Sequence, residues 1–113
     1  MNKRKLGAKG ETLAKEYLIS QGYTIITQNY GVKFGEIDII AQSPRREIVF
    51  VEVKWSRDQS YGNPAYKVSH SKLDTIKRVA QLYLLEHKIN NSPVRVEVVS
   101  IVGSKITHFR DII

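Results

Sequence analysis

Glu36 and Asp38 stand in the run Gly35-Glu36-Ile37-Asp38-Ile39-Ile40, and Glu52 and Lys54 in the run Ile48-Val49-Phe50-Val51-Glu52-Val53-Lys54. Charged side chains among β-formers need a partner, a proton or a metal, because a half-buried charge is costly alone. Two neighbouring carboxylates repel unless a cation or proton lies between them. Together with a backbone carbonyl and waters they offer the all-oxygen ligand set that suits Mg²⁺ or Mn²⁺. A lysine two residues from Glu52 projects from the same strand face. There it could hold or help deprotonate an attacking water, or stabilise charge developing on a phosphate. The combination describes phosphodiester hydrolysis. The plainer alternative is a pair of cross-strand ion pairs on a wet sheet face, which are common and individually weak.

These residues must be brought together by two strands. Side chains alternate along a strand, so Glu36, Asp38 and Ile40 are expected on one face of the first, and Ile48, Phe50, Glu52 and Lys54 on one face of the second. Cross-strand partners in an antiparallel hairpin have a constant index sum. A sum of 90 sets Asp38 opposite Glu52, Glu36 opposite Lys54 and Ile40 opposite Phe50, whereas 88 sets Asp38 against a ring and two glutamates together. The first register is preferred. It predicts a face charged at one end, with an apolar pocket floor of Ile40 and Phe50 at the other.

The rest of the chain supplies the supports. Leu6, Leu13, Ala14, Tyr17 and Leu18 have the spacing of a helix with one buried stripe, over about 6–21, with Gly22 as its stop. Strands are expected over 23–27, 36–41, 47–55, 94–102 and 105–110, with turns at Gln28-Asn29-Tyr30-Gly31, Ser43-Pro44-Arg45-Arg46 and Gly103-Ser104. Residues 56–68 have the composition of a loop. Leu73, Ile76, Ala80, Tyr83 and Leu84 predict a second helix over about 71–87, with Ser69 or Ser71 as N-cap. The order α-β-β-β-α-β-β implies an α/β fold, a mixed β-sheet flanked by helices.

Bulk properties frame the function. The 113 residues suit one domain with a single core. Eighteen Lys and Arg against eleven Asp and Glu give a net charge of +7, which favours polyanions, nucleic acid first. Lys3, Arg4, Lys5 and Lys9 all precede the first acidic residue, Glu11. There is no cysteine, which excludes disulfides and thiolate metal sites. No apolar stretch reaches membrane-spanning length, and the basic start leads into Leu6-Gly7-Ala8 without an apolar signal core, so a cytoplasmic protein is expected.

The same residues carry a resemblance. Glu36-Ile37-Asp38 followed by Val51-Glu52-Val53-Lys54 looks like the D…ExK signature of the PD-(D/E)XK nuclease superfamily. More narrowly, the chain resembles the YraN-like bacterial proteins, whose fold is similar to that of Holliday junction resolvases. The match runs nearly end to end: Gly10-Glu11, Ala14, Tyr17-Leu18, Gly22-Tyr23, Asn29, Gly35 to Asp38, Phe50 to Lys54, Gly62 and Lys72. The resemblance implies a restriction-endonuclease-like fold. It implies metal ligation by Asp38, Glu52 and the Val53 carbonyl, with Lys54 as the catalytic lysine and Glu11 completing the catalytic site from the first helix. By its residue type alone, Glu11 reads as a solvated charge near a helix start. Ser56 stands where relatives often carry an arginine, with Arg57 as a substitute, and Arg95-Val96-Glu97-Val98 replaces a common Arg-Phe-Asp-Val pattern.

The function expected is a Mg²⁺- or Mn²⁺-dependent endonuclease acting on DNA, with branched or nicked forms as candidate substrates. Symmetric cutting of a junction would need a homodimer. The alternative is a nucleic-acid-binding module that keeps the fold without turnover. Lys3, Arg4, Lys5, Lys9, Arg57 and Lys72 are the candidate phosphate contacts, although a charge run on a helix is usually a solvated face. Trp55 and Tyr61 could stack on bases, but Trp55 shares the face of Val51 and Val53 and reads as core. His70, His87 and His108 lack ligand spacing.

Overall fold

The computed structural model describes residues 3–56, 69–110 and 112. Helix α1 spans Lys3–Ser20, with Ala14 and Leu18, one turn apart, fully buried. It ends as its glycine predicts. Gly22 takes a left-handed φ of +90°, Gly22 N–H donates to the Ile19 carbonyl and Tyr23 N–H to that of Leu18, a Schellman ending. Strands β1 (Thr24–Val32), β2 (Gly35–Gln42) and β3 (Ile48–Ser56) form an antiparallel meander. Helix α2 (His70–Glu86) then crosses over to β4 (Val94–Val102), parallel to β3, and β5 (Lys105–Phe109) returns antiparallel at the edge. The sheet order is β1-β2-β3-β4-β5. This is the expected α/β layout. Of the two candidate N-caps for α2, Ser69 is the one used; its Oγ accepts from Lys72 N–H.

The sheet is a layer between two apolar clusters. Ile39, Ala41, Val49, Val51, Val99 and Ile101 pack with Ala14 and Leu18 on the α1 face. Ile40, Ile48, Phe50 and Val96 pack with Ile76, Val79, Ala80 and Tyr83 on the α2 face. The parity of those strand positions is the period of two that a two-sided sheet demands. Fully burying a side chain such as Phe50 contributes about 1.5–3 kcal/mol. Trp55 packs against the α1-face cluster, as its parity with Val51 and Val53 predicts.

Two expectations need correction. The Gln28–Gly31 turn is strand: β1 continues to Val32, and the chain reverses at Lys33-Phe34 instead. Asn29 takes a left-handed φ of +53° within the strand, a conformation Asn tolerates better than other non-glycine residues. Its turn-like character is real, but it bends the strand without ending it. The second correction concerns faces. Ile37 packs with Ile40 on the α2 face, whereas Ile39 lies on the α1 face. Strict alternation therefore breaks around Asp38.

Candidate functional site

The β2–β3 register is the expected one: Ile39 pairs with Val51, Ile40 with Phe50 and Ala41 with Val49. Regular pairing stops at Ile39 and Val51. Beyond it, Asp38 Oδ2 accepts the N–H of Val53 at 2.8 Å, so a carboxylate stands in for the next ladder carbonyl. That opening at the end of the hairpin is where the charges gather.

Two glycines let the helices approach it. A Cβ on Gly10 would lie 2.9 Å from Trp55 Cβ, and one on Gly35 would lie 2.5 Å from Thr75 Cγ2, both closer than side chains tolerate. Gly10 thus seats α1 against β3 and carries Glu11 to the site. Gly35 seats α2 against the start of β2, next to Glu36.

The result is two subsets sharing Asp38. Glu11, Glu36 and Asp38 bring one carboxylate oxygen each within 4.8 Å of one another. Asn29, with its amide nitrogen turned toward the carboxylates, donates to Glu11 Oε2 at 3.0 Å and Glu36 Oε1 at 3.0 Å. On the other side, Glu52 is buried and lies 3.6 Å from Lys54 Nζ and 3.7 Å from Lys72 Nζ. Its Oε2 atom has no hydrogen-bond partner among the described residues.

Desolvation dominates the electrostatics. It raises the carboxyl pKa of Glu11, with Asp38 and Glu36 adding repulsion and the Asn29 bond opposing. Desolvation likewise raises Asp38, against the Val53 N–H and the lysines. It also raises Glu52, helped by Asp38 and opposed by Lys72 and Lys54. Three carboxylates held above their ordinary range mark a place where a cation would be stabilised. The donor set is all oxygen and all carboxylate, which fits a hard divalent ion.

Several expectations are rearranged by this geometry. Glu36 does not pair with Lys54; it joins Glu11, and Lys54 turns to Glu52. The reason is the parting of the strands beyond Ile39, which ends the register that would have opposed them. The apolar floor is core, because Ile40 and Phe50 are fully buried in the α2-face cluster. Lys72, weighed against a solvated helix face, reaches the buried Glu52. Lys9 is exposed on α1. Arg57, Tyr61 and Gly62 lie outside the described residues, as do the side chains of Lys3, Arg4 and Lys5. Asn29 and Glu36 are the site residues that residue-type reasoning did not assign; the signal for Glu36 was its two-residue spacing from Asp38. A cavity of about 340 Å³ lined by Tyr23, Arg45, Arg95, Glu97 and Arg110 lies at the opposite end of the sheet and takes no part in this cluster.

Fold and site define a class: an α/β domain with a mixed five-stranded sheet, bearing a carboxylate cluster flanked by lysines where two central strands part. Within it, the chain belongs to the uncharacterised protein family UPF0102, whose family model matches residues 10–101. The YraN-like resemblance is thereby borne out. The chain is 41% identical over 105 residues to a UPF0102 protein of Persephonella marina, covering 93% of this chain and 90% of the relative. It is 42% identical over 101 residues to one of Clostridioides difficile, covering 89% and 88%. A Neisseria gonorrhoeae relative is 39% identical over 101 residues, covering 89% and 87%. Among the described residues, no helix is long and apolar enough to cross a membrane.

Proposed function

We propose that this chain is a divalent-cation-dependent nuclease that hydrolyses phosphodiester bonds in DNA. The observation that carries the reading is the convergence of Glu11, Glu36 and Asp38 beside a buried Glu52 contacted by two lysines. The basic balance of the chain, +7, supports a polyanionic substrate. Its likeness to the D…ExK nucleases supports the same chemistry.

Asp38, Glu11 and Glu36 would hold Mg²⁺ or Mn²⁺, with the Val53 carbonyl as a backbone ligand. The ion, when bound, supplies positive charge to polarise the scissile phosphate. Lys54 and Lys72 stand 3.6 Å and 3.7 Å from Glu52 and are cationic groups a phosphate would attract. Their movement toward it would release Glu52 to join the ligands. Lys54 then orients the attacking water and offsets the charge growing on the phosphate oxygens. As the water oxygen bonds to phosphorus, the water gives up a proton to solvent; the bond to the departing sugar oxygen breaks, and that oxygen takes a proton from solvent water.

The test is a gel panel of single-stranded, duplex, nicked, flapped and four-way DNA with Mg²⁺ or Mn²⁺, comparing wild type with Asp38→Ala and Lys54→Ala. Cleavage by the wild type alone is expected. Equal cleavage by all three would reveal a contaminant and overturn the reading. The pairing of Glu52 with both lysines favours one alternative, a module that binds DNA without turnover. Salt-sensitive binding with no product from any substrate would establish it. Symmetric incision of a four-way substrate would require two copies of the chain.

A further inference from the structure

Lys33 and Phe34 form the turn between β1 and β2, immediately before Gly35 and Glu36. Phe34 is 48% exposed, and no other aromatic is among the large hydrophobic side chains left exposed in the described residues. Leaving a phenyl ring in water forgoes burial that aromatic side chains ordinarily obtain. The guanidinium of Arg78, on α2, lies 4.9 Å from the ring centroid. A flexible tip would bury such a ring by folding over, but this tip is braced. Gly35 is in such close contact with Thr75 that a Cβ would stand 2.5 Å from Thr75 Cγ2.

The same flank of α2 connects the tip to the carboxylates. Lys72 reaches Glu52, Thr75 meets Gly35, and Arg78 covers Phe34, at steps of three residues along one helix side. A planar ring, a guanidinium and a lysine beside a phosphate-cleaving centre have the composition of a base-stacking platform with backbone contacts. A base paired within a continuous duplex has both faces stacked already and offers neither to Phe34. An unpaired base, or the end of a helix at a branch or nick, offers one.

We infer that Phe34, supported by Arg78 and Lys33, stacks on an exposed base and directs the site to DNA with a strand discontinuity or branch. The inference rests on the nuclease reading for its consequence, though not for the stacking itself. Six residues from Lys72 to Arg78 rise about 9 Å along the helix. At about 3.4 Å per nucleotide of one strand, the stacked base lies roughly two or three nucleotides from the phosphate under attack. Incision at that offset from the branch is the expected pattern.

The test measures binding of the full chain to a forked DNA and a duplex of the same sequence, in EDTA, with 2-aminopurine at the branch. Wild type should prefer the fork and quench the probe. Phe34→Ala and Phe34→Leu should lower the fork-to-duplex preference roughly tenfold, as loss of one base stack does, while Phe34→Trp retains it. Equal preference in wild type and Phe34→Leu, or no binding to either DNA, would overturn the inference. Selective quenching without cleavage in Mg²⁺ would uphold the stacking and reject the nuclease. Cleavage of forks and duplex alike by wild type would do the reverse.

Discussion

Asp38 Oδ2 accepts the backbone N–H of Val53 at 2.8 Å, and this bond ties the central carboxylate to the strand that carries Glu52 and Lys54. The contact is directional, while the charge of Asp38 is opposed by burial and by its acidic neighbours. A raised folded pKa means that ionising Asp38 costs stability, a cost that appears as pH rises above the unfolded carboxylate value and persists at neutrality. Asp38→Asn can keep the acceptor and remove the charge. It should therefore raise the thermal midpoint in EDTA at pH 7 while abolishing divalent-dependent cleavage. A variant that loses both stability and cleavage would show that the charge itself holds the strands.

Ion affinity separates the two subsets around Asp38. If Glu11, Glu36 and Asp38 provide the ligands, Glu36→Gln should weaken Mn²⁺ binding by about tenfold or more, since one charged oxygen ligand is lost. Glu52→Gln should weaken it less, because Glu52 lies against Lys54 and Lys72. Calorimetric titration of Mn²⁺ into each variant gives the order. The opposite order would make Glu52 the principal ligand and Glu36 a neighbour only.

How far residue types alone reached this arrangement depends on where each contact originates. Ile40 and Phe50 pair as the hairpin register requires, because parity and charge repulsion exclude the neighbouring sums. The end of α1 at Gly22 and the Ser69 cap of α2 were legible for the same reason: each is a local backbone requirement with few solutions. Asn29 misled because left-handed backbone serves a turn and a bent strand alike. Glu36 misled because the register was extended past the point where the strands separate. Glu11 and Lys72 come from helices, and no local pattern reports that Gly10 and Gly35 let those helices approach.

Gly35→Ala places a methyl 2.5 Å from Thr75 Cγ2 and 3.2 Å from Val79 Cγ2, so α2 must shift or the side chains strain. The expected loss is about 1–3 kcal/mol, typical of an overpacked core. Thr75→Ser removes the clashing methyl and keeps the hydroxyl that donates to the Ser71 carbonyl. In the double variant most of the loss should therefore return, and denaturant unfolding of all four proteins reads the coupling. Strict additivity would show that the helix does not rest on Gly35.

Far from the site, Glu97 is 2% exposed and accepts from His108 Nε2 at 2.7 Å, Tyr23 Oη at 2.9 Å and Arg95 Nε at 3.3 Å. Burial alone would raise its pKa, but these three donors outweigh it and hold the carboxyl below its ordinary value. A depressed folded pKa contributes stability that is complete above the unfolded carboxylate pKa and declines as pH falls toward and through the folded one. The protein should lose stability on acidification below about pH 4.5. Glu97→Gln should flatten that part of the profile. It should also cost about 2–4 kcal/mol at pH 7, since the neutral amide leaves Arg95 without its anion and weakens the hydrogen bonds that the buried carboxylate accepts. Denaturant midpoints of both proteins from pH 3 to 8 test it, and parallel profiles would assign the acid sensitivity to other carboxylates.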